Sequence, residues 1–248
     1  MDKKNKNQNI ISLYNKKIES LLKISKTITS EVYLEKILKI IVNVTAEAMN
    51  SKICSLMLVD EKKKELVIKS TQSVSEEYIK KPNIKLGEGI AGRVAIENKP
   101  ICVMDVKKDE RYINRDIAIK EKLCSLLSVP ISIKGKVIGV INCYTSKPHK
   151  FTKSEIELLT IVANQTAVAI ENYELVNKTK IIQVELETRK YIERAKDILA
   201  KELKISHDEA YRKIQKQSMD SRKTMREIAE AIITTHKLRE NIFDDTKK

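Results

Sequence analysis

Tryptophan is absent from this chain of 248 residues, phenylalanine occurs twice and histidine three times. Aromatic residues make up only 4%, which leaves little room for a large aromatic-lined pocket. Cysteine is scarce and scattered: Cys54, Cys102, Cys124 and Cys143 form no C-x-x-C or Cys/His cluster, so neither a zinc site nor a disulfide framework is predicted, and no metal is expected. Reduced thiols in a soluble, cytoplasmic protein are the expectation. No apolar run reaches the roughly 18 residues of a membrane span. The opening MDKKNKNQNIISLYNKK carries lysines but neither an apolar h-region nor a small-residue cleavage site. No Ser/His/Asp set, paired carboxylates or metal-ligand cluster argues for catalysis, so a non-enzyme is expected.

What the chain does have is charge and apolar content in quantity. Charged residues make up 33% and apolar ones 42%, enough for a real core beside much exposed helix. The length suits one domain of ordinary size plus a small one. A net charge of +14 and a pI near 9.4 fit a polyanionic partner. The excess is spread, however. Residues from Val176 onward hold 18 basic and 13 acidic side chains, against 30 and 21 before it, so charge alone locates no nucleic-acid site.

Ile10, Tyr14, Ile18, Leu21 and Ile24 recur at helical spacing on a lysine-rich background, so residues 1–30 are expected to hold an N-terminal helix suited to dimerisation. A second helix is predicted from Leu34 to Met49. Strand-like runs follow at Ile53 to Val59, Leu66 to Ser70, Ile101 to Val106, Ser125 to Ile133 and Val137 to Tyr144. The charged turn from Asp60 to Glu65 and the Lys134-Gly135-Lys136 turn make hairpins of two pairs. In KLGEGIAGRVAIENKP, Gly87, Gly89 and Gly92 precede a short helical stretch; this is neither G-x-x-x-x-G-K-[ST] nor G-x-G-x-x-G, which favours tight turning over phosphate binding.

From Phe151 the pattern is helical for a long way, with Thr152 as N-cap and Glu155 completing a capping box. Heptads place Leu158, Gln165, Asn172, Thr179 and Leu186 at one core position and Ile161, Val168, Leu175 and Ile182 at the other. That is the pattern of a two-helix seam, most economically a parallel homodimer, in which Asn172 weakens the seam while fixing partner number and register.

The segments SLMLVDEKKKELVIKS, LGEGIAGRVAIENKPICVMDV, LLSVPISIKGKVIGVINCYTSKPHKFTKSEIELL and IVANQTAVAIENYEL, in that order, resemble a GAF domain over about Tyr33 to Val176. The resemblance implies an α+β fold: an antiparallel sheet of five or six strands, with the Leu34 and Ile156 helices on one face and the Pro82 to Leu123 connections over a pocket on the other. GAF pockets accept cyclic nucleotides, tetrapyrroles, haem, small acids or nothing, so a small-molecule signal is expected without an identity. The cyclic-nucleotide pattern N-K-x-F-x-D-E is missing. Asp105, Arg111 and Cys124 are the candidate pocket residues; the Cys124 thiol could sense an oxidant or hold a metal, or simply fill the core.

After the seam, RKYIERAKDILAKELKISHDEAYRKIQKQSMDSRKTMREIAEAII reads as three helices. The first continues the long helix through Ile192, Ala195, Leu199 and Leu203. The second starts at Ser206 with Glu209 as capping-box partner and buries Ala210 and Ile214, and the third starts near Asp220 or Ser221 and buries Met225, Ile228, Ala229, Ile232 and Ile233. From Arg189 to Arg226 there are 12 basic and 6 acidic residues. The segments R-K-x-I-E-x-A-K (Arg189 to Lys196), S-x-D-E-A-Y-R (Ser206 to Arg212) and S-M-D-S-R-x-x-M-R-E-I-A-E-A-I-I (Ser218 to Ile233) resemble an ANTAR domain, the RNA-binding module of bacterial transcription antitermination regulators. Asp197 and Ala200 depart from the family's A-K-G-I-L-M. The resemblance implies binding of paired stem-loops in a leader transcript, with Lys190, Arg194, Lys196, Lys213, Arg222 and Lys223 on phosphates and Tyr211 either stacked on a loop base or in the core.

The expected organisation is therefore an N-terminal helix (1–30), a GAF-like sensor (31–172), a coiled-coil linker (173–188), an all-α three-helix ANTAR unit (189–240) and a tail (241–248). Two rivals stand beside RNA binding. A DNA-binding helix-turn-helix would also carry basic residues at helix starts. The Ser206-His207-Asp208-Glu209 run is similar to a histidine-kinase phospho-acceptor, but no L-R-T-P follows and too little chain remains for an ATP-binding domain.

Overall fold

The computed structural model describes residues 34–244, together with Glu19, Leu22 and Ile24. Apart from those three, the expected N-terminal helix, with Ile10, Tyr14, Ile18 and Leu21, lies outside the described residues, as do residues 245–248 of the tail. The chain divides into two compact units between Glu174 and Leu175.

The first unit runs α1 (Leu34–Ala48), β1 (Ile53–Asp60), β2 (Glu65–Thr71), α2 (Glu76–Ile79), β3 (Ile84–Lys85), α3 (Gly89–Glu97), β4 (Ile101–Val103), α4 (Arg115–Lys120), β5 (Leu126–Ile133), β6 (Lys136–Tyr144) and the first part of α5 (Lys153–Leu203). Six antiparallel strands lie in the order β3-β2-β1-β6-β5-β4, which makes the sequence neighbours β1 and β2, and β5 and β6, hairpins. Asp60 closes the first by accepting the N–H groups of Lys62 and Lys63 at 3.0 and 3.1 Å. In the second, Lys134 and Gly135 both take positive φ (50° and 84°), the backbone a two-residue hairpin loop needs to match strand twist.

Alternation along the strands creates two faces. Cys54 and Leu56, Leu127 and Val129, and Ile141 and Cys143 point to one side, where Ile37, Leu38, Ile41 and Val42 of α1 and Leu159, Val162 and Ile170 of α5 cover them. Each such side chain contributes roughly 1.5–3 kcal/mol by leaving water. The opposite face is covered by the segments around α2, α3 and α4, which contribute Tyr78, Ile90, Val106, Tyr112, Ala118 and Leu123. The glycine run is explained by geometry: Gly87 has φ +85°, and a Cβ on Gly92 would sit 2.4 Å from the Lys85 carbonyl.

Three expectations need correction here. β4 stops at Val103 rather than Val106, because Asp105 turns the chain by accepting the Lys107 N–H at 3.1 Å. The short elements α2, β3 and α4 fall where no strand or helix is predicted. Leu158 is not free for a seam: it is 6% exposed and belongs to the core cluster beneath the sheet.

The second unit comprises the end of α5, α6 (His207–Ser221) and α7 (Met225–Asp244). Ala195, Ile214, Ile228, Ala229 and Ile233 form its core, flanked by Ile192, Leu199, Met225 and Ile232. Ser206 and Glu209 form the expected capping box. The third helix starts later than Asp220: α6 continues through Ser221, Arg222 ends it in the left-handed conformation (φ 56°), and Thr224 opens α7. Thr224 accepts the Glu227 N–H at 3.2 Å while Glu227 accepts the Thr224 N–H at 2.7 Å, a second capping box hidden in T-M-R-E. Among the described residues no helix is long and apolar enough to cross a membrane.

Candidate functional site

In the first unit, the residues singled out from the sequence do not converge on a pocket. Asp105 makes the turn after β4 and pairs with Lys107 Nζ at 3.2 Å. Arg111 is clamped by its neighbour Asp109, with Nε and Nη2 donating to the two carboxylate oxygens at 2.9 and 2.7 Å. That bond raises the guanidinium pKa and lowers the carboxyl's. Cys124 is buried, with its thiol 3.7 Å from the Met104 carbonyl. Among the described residues no group of three or more His, Cys, Asp or Glu side chains could hold a metal.

The polar chemistry of this unit lies instead on the sheet face under α2 to α4. Ser55 of β1, Asn142 of β6 and Ser128 of β5 are direct cross-strand neighbours, and none is more than 1% exposed. Ser55 Oγ shares a 2.9 Å hydrogen bond with the Tyr78 hydroxyl. Tyr78, Tyr112 and Tyr144 pack edge to face, with centroid separations of 6.2 and 6.4 Å, and Tyr112 donates to the Tyr144 hydroxyl at 3.4 Å. Burial pushes all three phenols up, so each stays protonated. Lys81 lies with Nζ 4.1 Å from the Tyr78 ring centroid, and burial pulls its ammonium down to about 8.

Asn142 and Ser128 were legible only as polar letters at inward positions of otherwise apolar strands, in VINCY and LLSVP. The tyrosines were missed because Tyr78 and Tyr112 come from irregular connections, whose path no periodicity reports.

In the second unit the expected contact residues spread over several surfaces. Lys190, Arg194, Tyr211, Lys213, Arg222 and Lys223 are exposed. Lys196 is largely covered and pairs with Glu193 at 2.9 Å. Lys213 borders a groove of about 440 Å³ with Leu199, Ile214 and Ile232, whereas Arg194 borders a separate cleft of about 250 Å³ between α5 and α7. Arg222 and Lys223 occupy the α6–α7 turn, which Ser218 holds by donating its hydroxyl to the Lys223 carbonyl at 2.6 Å. His207 stands at the first position of α6, 3.3 Å from Asp197. Arg226 is occupied structurally, bonded to Glu230 at 2.9 Å and lying 5.3 Å over Tyr191.

Along α5, Ile161, Val168, Leu175, Ile182 and Leu186 are 44–63% exposed, and Asn172 is exposed among them. Such a regular apolar stripe in water is uncommon on a monomer.

Comparison with known proteins agrees with this division. The GAF domain model matches residues 32–171 and the ANTAR domain model residues 182–233. The Nif-specific regulatory protein of Herbaspirillum seropedicae is 26% identical over 164 residues, 64% of this chain and 30% of that protein. The methyl sulfide methyltransferase-associated sensor of Methanosarcina acetivorans is 28% identical over 163 residues, 64% of this chain and 16% of the relative. The chain thus spans less than a third of the length of these two relatives. Among solved structures, the GAF domain of a phosphoenolpyruvate-protein phosphotransferase from Coxiella burnetii superposes with a TM-score of 0.60 at 25% identity, covering 65% of this chain and 96% of that one.

Proposed function

Because this chain belongs to the GAF domain family and carries an ANTAR domain behind it, we propose that it is a signal-responsive, RNA-binding transcription antitermination regulator. The domain pair itself supports a signal-regulated ANTAR regulator. RNA binding is supported by the three-helix unit, closed by two capping boxes around its own apolar core, with Lys190, Arg194, Lys213, Arg222 and Lys223 all exposed. Their ammonium and guanidinium groups neutralise phosphates, Lys196 adds to them once released from Glu193, and Tyr211, 41% exposed, offers a ring for an unpaired base. In this reading the chain acts by binding, not by catalysis.

The regulator works as a homodimer joined along α5. Ile161, Val168, Leu175, Ile182 and Leu186 supply the seam, and Asn172 fixes its register. A small molecule bound in the GAF domain alters the packing of the two helices between Asn172 and Leu186, and so the spacing of the paired RNA-binding units. It can shift that balance only by its different affinity for the two states. Two units held together suit two adjacent stem-loops.

The test is a comparison of folded leader RNA and duplex DNA at equal salt. RNA should bind more tightly, and its log affinity should fall with log salt by about 0.7 per contacted phosphate for unpaired regions. Preference for the duplex would favour a DNA-binding helix-turn-helix instead.

A further inference from the structure

Three lysines share one outer cleft of the first unit, a space of about 410 Å³ between α2 and α4. Two of them are ion-paired and exposed: Lys80 Nζ lies 2.7 Å from Glu76 and Lys120 Nζ 2.9 Å from Glu77. Lys81 differs in both respects. The residue is 7% exposed, and among the described residues its Nζ has no hydrogen-bond acceptor and no carboxylate within ion-pair distance, only the Tyr78 ring, whose centroid is 4.1 Å away. The wholly enclosed side-chain atoms without a partner belong to Ser51, Ser70, Ser128 and Asn142, so the unpartnered Lys81 Nζ still meets the cleft it lines. No strand residue lines this space, which separates it from the polar row on the sheet.

An ammonium held away from water without a counter-ion is the less favoured form of a lysine. The ring face offsets part of that cost, and burial still prevails, drawing the group down to about 8. At pH 7.5 about a quarter of such a side chain is free amine, against about one part in a thousand for an ordinary lysine. The free amine is the nucleophile.

We propose that Lys81 is a covalent capture site for small neutral carbonyl compounds, which it takes up reversibly as an imine. The Nζ lone pair attacks the carbonyl carbon, a C=N bond replaces C=O, and the oxygen leaves as water with the two amine protons. No oxidant, reductant or cofactor enters the balance. The surroundings select the neutral class. Around the cleft, Glu76, Glu77 and Asp116 stand against Lys80 and Lys120, three carboxylates to two ammonium groups, and each of those ammonium groups is held by a glutamate. The bond to Glu77 pushes Lys120 up, so it stays charged and unreactive. An anionic carbonyl compound therefore finds no unpaired cation beside Lys81. Pro82 and Ile117 add apolar wall, which suits a short alkyl chain. The proposal does not depend on RNA binding.

The experiment adds propionaldehyde and cyanoborohydride, which reduces the imine to a stable secondary amine, to the full-length chain at pH 7.5 and locates the labelled lysines by tandem mass spectrometry. Lys81 should be labelled at least about tenfold faster than Lys80. Its lead over Nα-acetyl-lysine in the same tube should shrink as the pH rises from 7.5 to 10, because the ordinary amine is then still gaining free base while Lys81 has little left to gain. Glyoxylate, a carbonyl compound of similar size that carries a carboxylate, should lose most of that lead. Labelling of Lys80 or Lys120 as fast as Lys81, labelling of Lys81 only after denaturation, or an equal lead with glyoxylate would overturn the proposal. RNA binding by the unlabelled chain is a separate readout: its loss would sink the antitermination reading and leave this one standing.

Discussion

Cys54 and Cys143 face each other across β1 and β6, paired in register and completely buried, with their sulfurs 3.7 Å apart. The contact with Cys143 and burial both push the Cys54 thiol up, so it stays protonated at neutral pH. Of the four cysteines only Cys102 is exposed. Iodoacetamide acting on the native chain should therefore modify Cys102 alone, and all four thiols after denaturation, as peptide mass mapping would show. Modification of Cys54 at a rate matching Cys102 would contradict the burial described.

Lys81 gives a pH dependence of defined sign. Its folded-state value near 8 lies below the ordinary 10.5, so between those values the unfolded chain holds a proton that the folded chain has released. Folding then gains with rising pH, and below about 8 the full cost of burying the charge is felt. Relative to Lys81→Met, the parent chain should gain up to about 3 kcal/mol across that window. Urea unfolding of both proteins at pH 7.5 and 10 measures it, the charged residues of the same cleft cancelling in the difference.

The second capping box predicts a local effect. Thr224→Ala removes the acceptor for the Glu227 N–H and should cost about 1 kcal/mol in chemical denaturation. RNA affinity should fall modestly with it, because the turn carrying Arg222 and Lys223 ends at that cap.

Two leucines on one heptad position should behave in opposite ways. Leu186→Asp places a charge on the exposed stripe and should shift the dimer toward monomer in sedimentation while leaving the thermal transition of the GAF domain unchanged. Leu158→Asp buries the same charge under the sheet and should unfold that domain, seen by circular dichroism.

How much the sequence disclosed depended on periodicity. The five longer strand runs, the two hairpins and the helices at Leu34, Lys153 and His207 came through because alternation and capping residues recur over many positions. The start of α7 was misplaced because Asp220 and Ser221 look like caps. The true signal, Thr224 with Glu227, lay three residues further on. Leu158 fitted the heptad equally well, since a helix packed on a sheet and one packed on a helix share nearly the same repeat. Asp105 and Arg111 drew attention as charges near a presumed pocket, yet charges on a surface loop find local partners, Lys107 and Asp109.

The buried amide of Asn142, which has no hydrogen-bond partner among the described residues, also bears on the cost of the fold. A leucine or valine at that strand position would carry no polar atoms to satisfy, a need worth about 1–3 kcal/mol per buried group.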